Sequence, residues 1–224
     1  LKCKYIATGH YAQVYQENGR YIVSKGLDEH KDQSYVLWGV KQECLKRTLF
    51  PMGKYHKKDI KQMAIDRGYT SLAEKSESYE ICFIPDNDYR GFLKRRVEGL
   101  EEKVKNGDFI TIDGKKVGTH DGYPFYTIGQ RKLGVSLGSN PTYVVGINAE
   151  DNTVTVGTKD DLKKQEMYIK EVNYLKYSNI KDGMECLVKV RYKHKGEMAT
   201  ITNQGNNLKL LFHNKVSGIA PGQS

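Results

Sequence analysis

Apolar and polar positions change rhythm along this chain, and the change divides it. Tyr5-Ile-Ala-Thr-Gly-His10 is a short apolar run that breaks into a glycine-containing loop. In open α/β sheets that is the form of a strand whose carboxyl end faces a ligand. Tyr11–Tyr15 and Tyr21–Lys25 alternate about Glu17-Asn-Gly19, and the Asn-Gly pair predicts a tight hairpin. Lys31–Val40 and Gln42–Leu49 read as helices. So does Lys57–Arg67, where Ile60, Met63 and Ala64 share a face and Gly68 supplies the stop. Asp86 is placed to cap a helix through Tyr89, Phe92 and Leu93. Beyond residue 105 the period becomes two, with strands predicted at Phe109–Ile112, Lys116–Gly118, Thr142–Ile147, Thr153–Val156, Glu185–Tyr192, Met198–Thr202 and Leu208–Phe212. The fold class is therefore an α/β remnant followed by β-rich domains, the last of them a small barrel.

Composition narrows the class. The chain has 224 residues, 38% of them hydrophobic, and no apolar run approaches the roughly 18 residues that span a bilayer. Cys3, Cys44, Cys82 and Cys186 are widely spaced, which argues against a structural zinc site or a secreted disulfide framework and for reduced thiols in a cytoplasmic protein. No initiator Met stands at Leu1, and no element visibly finishes before Ser224, so the sequence reads as a piece of a longer protein.

Charge is uneven. The net of +9 is concentrated in two blocks, +5 over residues 41–75 (9 Lys and Arg against 4 Asp and Glu) and +4 over 166–224 (9 against 5). Between them, residues 76–165 come to −1 (13 against 14). Clustered positive charge suits a polyanion with spaced phosphates, though it also suits a solvated face.

Candidate chemistry is sparse. Cys82, in Ser78-Tyr-Glu-Ile-Cys-Phe-Ile84, has apolar neighbours that fit a packed thiol. It also has Lys75, Arg90 and a following helix start close enough in sequence to activate a nucleophilic one. His10 after Gly9 fits a core histidine, a general base or a phosphate contact. Lys31-Asp-Gln-Ser-Tyr35 fits a helix start as well as a set of phosphate and base-edge partners. Thr127-Ile-Gly-Gln-Arg-Lys132 sets two cations beside an amide. Lys189, Arg191, Lys193 and Lys195 alternate, so a continuous strand there would put all four on one face with Tyr192 opposite. No glycine-rich nucleotide-binding fingerprint occurs.

Seven runs in order give the chain a resemblance. Ala7-Thr-Gly-His-Tyr11, Lys31-Asp-Gln-Ser-Tyr35, Leu49-Phe-Pro-Met-Gly53, Ile81-Cys-Phe-Ile84, Thr127-Ile-Gly-Gln-Arg-Lys132, Val190-Arg-Tyr192 and Ala220-Pro-Gly-Gln223 resemble the tRNA-uridine 2-sulfurtransferases, which thiolate the wobble uridine of tRNA using ATP. Two local features differ from the family pattern: Glu80 stands where many members have Gly, and the loop Gly129–Gly134 is one Gly shorter.

The resemblance implies residues 1–45 as the C-terminal remnant of a Rossmann-like PP-loop ATPase domain, 46–165 as a small central α+β domain with the Cys82 loop, and 166–224 as an incomplete C-terminal β-barrel. It implies Cys82 as the catalytic cysteine that carries persulfide sulfur, Gly9 as an ATP-contacting position, and His10, Lys31, Asp32, Gln33, Arg191, Tyr192 and Gln223 as tRNA contacts. ATP would activate the uridine C2 oxygen by adenylation. A first catalytic cysteine, which the resemblance places upstream with the pyrophosphate loop, would form a disulfide with Cys82 as sulfur leaves. The implied partners are tRNA and a sulfur-donor protein, with no membrane and no metal. Alone, such a fragment is expected to be inactive. The alternative is a non-catalytic RNA-binding module in which Cys82 is structural.

Overall fold

The computed structural model describes residues 3–75, 84 and 86–223. Strand β1 (Ile6–Ala7) leads through Gly9 and His10 into the hairpin β2 (Ala12–Glu17) and β3 (Arg20–Lys25). Asn18 and Gly19 close that hairpin with φ of 51° and 77°, the left-handed pair that the Asn-Gly signal demands. The expected helices over 31–49 shrink to a 3-10 turn at Ser34–Leu37 and α1 (Gln42–Leu45), followed by β4 (Thr48–Leu49). The reason is local competition for the backbone. The Asp32 carboxylate accepts from Ser34 N and from Gly26 N, both at 3.1 Å, and so pins the chain in a loop instead of freeing it for a helical ladder.

β4 runs parallel to β1, with Ile6 opposite Thr48 and Ala7 opposite Leu49. Ala12, Leu37 and Phe50 form the core beneath the hairpin, with Val14, Val23 and Val40 packed on it. The Leu49-Phe-Pro-Met-Gly53 run fits here for a packing reason. A Cβ at Gly53 would sit 1.8 Å from the Ala12 carbonyl oxygen, so only glycine lets the turn touch β2.

Helix α2 (Lys57–Asp66) half-buries Ile60, Met63 and Ala64 as expected. It stops at Gly68, φ 82°, where Gly68 N donates to Ile65 O and Tyr69 N to Ala64 O, each at 2.9 Å. After α3 (Thr70–Glu74) and the buried Ile84 comes α4 (Tyr89–Arg96). Its cap is Asp88, whose Oδ1 accepts from Gly91 N at 2.9 Å. The expected cap, Asp86, lies two residues earlier and instead receives Asp88 N at 3.2 Å.

α5 (Leu100–Val104) packs Leu100 and Val104 on Phe125. β5 (Gly107–Ile110), β6 (Lys116–His120), β7 (Tyr143–Asn148) and β8 (Thr153–Gly157) form a sheet in the order β6-β5-β8-β7, with β5 and β8 parallel. Phe109, Val144, Val154 and Val156 are its fully buried centre. Each such side chain contributes about 1.5–3 kcal/mol relative to exposure.

The last sheet is antiparallel throughout. It orders β9 (Lys163–Ile169), β10 (Glu185–Val188), β11 (Glu197–Gln204) and β12 (Asn207–Ser217) as β10-β11-β12-β9, around Ala199, Ile201, Leu208, Leu210, Phe212 and Val216. Two sequence expectations change. β9 was not anticipated, because Lys163-Lys-Gln-Glu-Met-Tyr-Ile169 pairs on one side only and does not alternate. β10 ends at Val188 and not at Tyr192, because Val190 turns into the core and His194 N donates back to Arg191 O at 2.9 Å. Lys189, Arg191, Lys193 and Lys195 therefore fan around a turn and do not line one strand face.

Among the described residues, no helix is long and apolar enough to cross a membrane, and no group of His, Cys, Asp and Glu side chains is arranged to hold a metal ion. Cys3 and Cys44 are exposed free thiols; Cys186 is a half-buried one whose pKa is raised by burial and then by Glu185.

Candidate nucleic-acid interface

The loop after β3 is built from side chains that hold backbone. Gly26 lies so close to Tyr11 that a Cβ would stand 2.7 Å from the Tyr11 carbonyl oxygen. Gln33 completes this contact from two sides: its backbone N–H donates to Tyr11 O at 2.9 Å, and its Oε1 accepts from Tyr11 N at 3.1 Å. Asp32 is buried, and its Oδ2 also accepts from the Ser34 hydroxyl at 3.0 Å. The carboxylate of Asp32 and the amide oxygen of Gln33 thus serve the loop itself. Lys31 is half-buried, with its N–H donating to Asp28 O at 3.0 Å.

Asp28 ties this loop to α2. Its carboxylate accepts from His30 N at 3.1 Å and from Lys57 N at 2.9 Å. The Lys57 hydrogen bond chiefly holds the Asp28 pKa below its ordinary value, against the opposing effect of burial. The Lys57 ammonium lies over the Tyr11 ring, 5.7 Å from its centroid.

Gly9 and His10 stand beside this loop through their neighbour Tyr11. Gly9 is exposed at the carboxyl end of β1, and a Cβ there would meet nothing within 4 Å, so the backbone is open to a ligand. His10 is half-buried, its Nδ1 hydrogen-bonded to the Thr8 hydroxyl at 2.7 Å and its ring edge-on to Phe50.

The turn after β10 supplies the other half. Arg191 reaches across β12 and donates from Nη2 to Ser217 O at 3.2 Å. Gly218, φ 76°, leaves the room, since a Cβ there would fall 2.1 Å from that nitrogen. Tyr192 donates its hydroxyl proton to the Asp32 carbonyl at 3.0 Å, and its ring meets Tyr35 edge-on at 6.3 Å. Arg191, Tyr192, Lys193, His194, Lys195 and Gln223 line one shallow groove. The fold therefore brings Asp32 and Tyr35 against Tyr192, with Arg191 and Gln223 lining the same groove as Tyr192.

Cys82 and Glu80 lie outside the described residues; Ala73 and Ile84 on either side of that stretch are both buried. Two features escaped sequence reasoning. Tyr35 joins the seam, and its pKa is raised by desolvation. The Thr127–Lys132 run uses its amide internally: Gln130 Oε1 accepts from Thr127 N at 3.1 Å, and Arg131 lies over the Tyr143 ring.

Comparison with known proteins accounts for nearly the whole chain. Residues 1–86 match the model of the tRNA methyl transferase HUP domain, residues 90–158 that of the tRNA methyl transferase PRC-barrel domain, and residues 164–224 that of the aminomethyltransferase beta-barrel domain. The tRNA-specific 2-thiouridylase MnmA of Cytophaga hutchinsonii is 54% identical over 226 residues, covering 100% of this chain and 61% of the relative. The protein of the same name from Amoebophilus asiaticus is 54% identical, with 60% of its length covered, and that from Salinibacter ruber 49% identical, with 59% covered. The chain thus spans about three-fifths of the length of these curated relatives.

Proposed function

The chain belongs to the tRNA-specific 2-thiouridylase family, and from that membership we propose that it is the tRNA-holding and sulfur-carrying part of an enzyme that replaces the C2 oxygen of a wobble uridine with sulfur. The observation that carries the proposal is the seam. Two segments about 160 residues apart are joined by the Tyr192–Asp32 hydrogen bond at 3.0 Å, and beside that joint Arg191, Lys193 and Lys195 line a basic groove. Separated cations on one surface are what a folded RNA backbone requires.

In this scheme the exposed Gly9 backbone, His10 and Lys31 face the reacting end of the substrate, and Arg191, Lys193 and Gln223 hold phosphates farther along. The openness at Gly9 fits a close approach by ATP. Bound ATP would supply activation of the uridine C2 oxygen, which is otherwise a poor leaving group. Cys82 would present its outer persulfide sulfur to that carbon. The C2–S bond forms as the activated oxygen departs with AMP. The sulfur–sulfur bond then breaks as a second cysteine thiolate attacks Cys82 Sγ, which leaves thiouridine and a disulfide. That second cysteine is expected on the part of the relatives that this chain does not span. A sulfur-donor protein would reload Cys82 after the disulfide is reduced.

The test is Cys82→Ser in the full-length protein. We expect 2-thiouridine formation to fall below detection by nucleoside mass spectrometry, while tRNA binding stays within about twofold of wild type, because the substitution removes the sulfur carrier and no phosphate contact. Thiolation that survives the change removes Cys82 from the chemistry and leaves an RNA-binding module with a structural thiol.

A further inference from the structure

Among the described residues, four side chains join the α/β unit to the connections that flank β10, and each uses a main-chain carbonyl on the other side. Arg20, the first residue of β3 after the Asn18-Gly19 turn, donates from Nε to Leu175 O at 2.9 Å and from Nη2 to Tyr174 O. Gln42 is bound to Tyr21 in both directions at 2.8 Å, and its Nε2 also reaches Leu175 O at 3.3 Å. Asn173 Nδ2 donates to Trp38 O at 2.6 Å and to Val40 O at 3.1 Å. Tyr192 OH donates to Asp32 O at 3.0 Å.

The acceptors at 174 and 175 lie between Ile169 and Glu185, a connection that contains no strand or helix. Carbonyls without a ladder partner must be satisfied elsewhere. A guanidinium, with its donors fixed in a planar fork, can serve two adjacent carbonyls at once in a way that a lysine cannot.

We infer that Arg20 is a positioning residue for tRNA binding. It clamps the 170–184 connection to the β2–β3 hairpin and so holds Arg191, Tyr192 and Gln223 in register with Lys31–Gln33. The inference rests on the proposal that these two groups grip one tRNA. Two half-sites held rigidly bind as one surface, whereas half-sites on a loose joint must first be ordered. Arg20 directs at least two of its N–H groups at carbonyls, so its effect on RNA acts through the joint and through no phosphate of its own.

The test uses the full-length protein with Arg20→Gln and, separately, Arg20→Lys. We expect both to weaken tRNA binding on the order of tenfold. KM for tRNA should rise while KM for ATP holds, and the slope of log K against log salt should not change. Amide exchange over residues 170–184 should quicken in both. Full rescue by lysine would overturn the inference, because charge and not the fork would then matter. A salt slope that drops by about one in the glutamine variant would overturn it too, assigning Arg20 to a phosphate. Unchanged affinity, or poor folding of both variants with an unchanged KM for tRNA, would reduce Arg20 to a structural residue. If wild-type protein fails to bind tRNA, the proposed function falls and Arg20's role with it, which separates the two failures.

Discussion

At the scale of single residues, the acids of the loop after β3 show what sequence can and cannot reveal. Asp28 and Asp32 both sit where a polar loop is expected, and neither offers a free carboxylate: one receives Lys57 N and His30 N, the other Gly26 N, Ser34 N and the Ser34 hydroxyl. Their partners lie up to 29 positions away, and loop closure, which no local pattern encodes, selects them. Asp28 makes this testable through pH. Its pKa is lowered in the fold, so the stabilisation it gives is complete above the unfolded value and is lost as pH falls through the folded one. Asp28→Asn keeps the shape and removes the charge. The variant should be less stable than wild type by a gap that is constant above about pH 5 and closes as pH drops below the carboxylate range. Urea midpoints measured at several pH values check this, and a gap that persists at low pH would mean that shape rather than charge holds the loop.

At the scale of elements, period and turn chemistry were legible wherever one face is buried. The Asn-Gly hairpin, α2 with its glycine stop, and the strands around Val144, Val154 and Val156 follow directly from alternation and caps. Elements that pair at an edge or end by a tertiary contact were not legible, as β9 and the early end of β10 show. The cap of α4 falls between these cases: Pro85-Asp86-Asn87-Asp88 offers two acids, and only the geometry at Gly91 N chooses Asp88. Asp88→Ala should therefore cost about 1 kcal/mol of stability. Asp86→Ala should cost less than half of that, since it breaks one exposed turn contact and a surface ion pair with Arg95. Thermal or urea unfolding of the two variants ranks them, and the reverse order would return the cap to Asp86.

At the scale of the whole molecule, the loop that holds Asp32 and the basic turn that holds Tyr192, far apart in sequence, meet in one seam. Composition could not show that meeting, because the link runs through backbone carbonyls, which every residue shares. The turn between β10 and β11 also alters the electrostatic expectation. Four cations on a strand face would meet a phosphate row side by side, whereas on a turn they spread, and Arg191 alone is tethered to β12 through Ser217 O. A fixed guanidinium loses less freedom on meeting a phosphate than a mobile ammonium does. Replacing Arg191 by alanine in the full-length protein should weaken every tRNA by a similar factor and lower the salt slope by about one. Lys193→Ala should lower the slope by a similar amount but cost less affinity at a given salt concentration. Both follow from filter binding across a salt series, since the slope counts displaced counterions and the intercept reports pre-organisation. An Arg191→Ala slope equal to wild type would mean that this guanidinium is occupied in holding β12 and that the phosphates lie elsewhere on the groove.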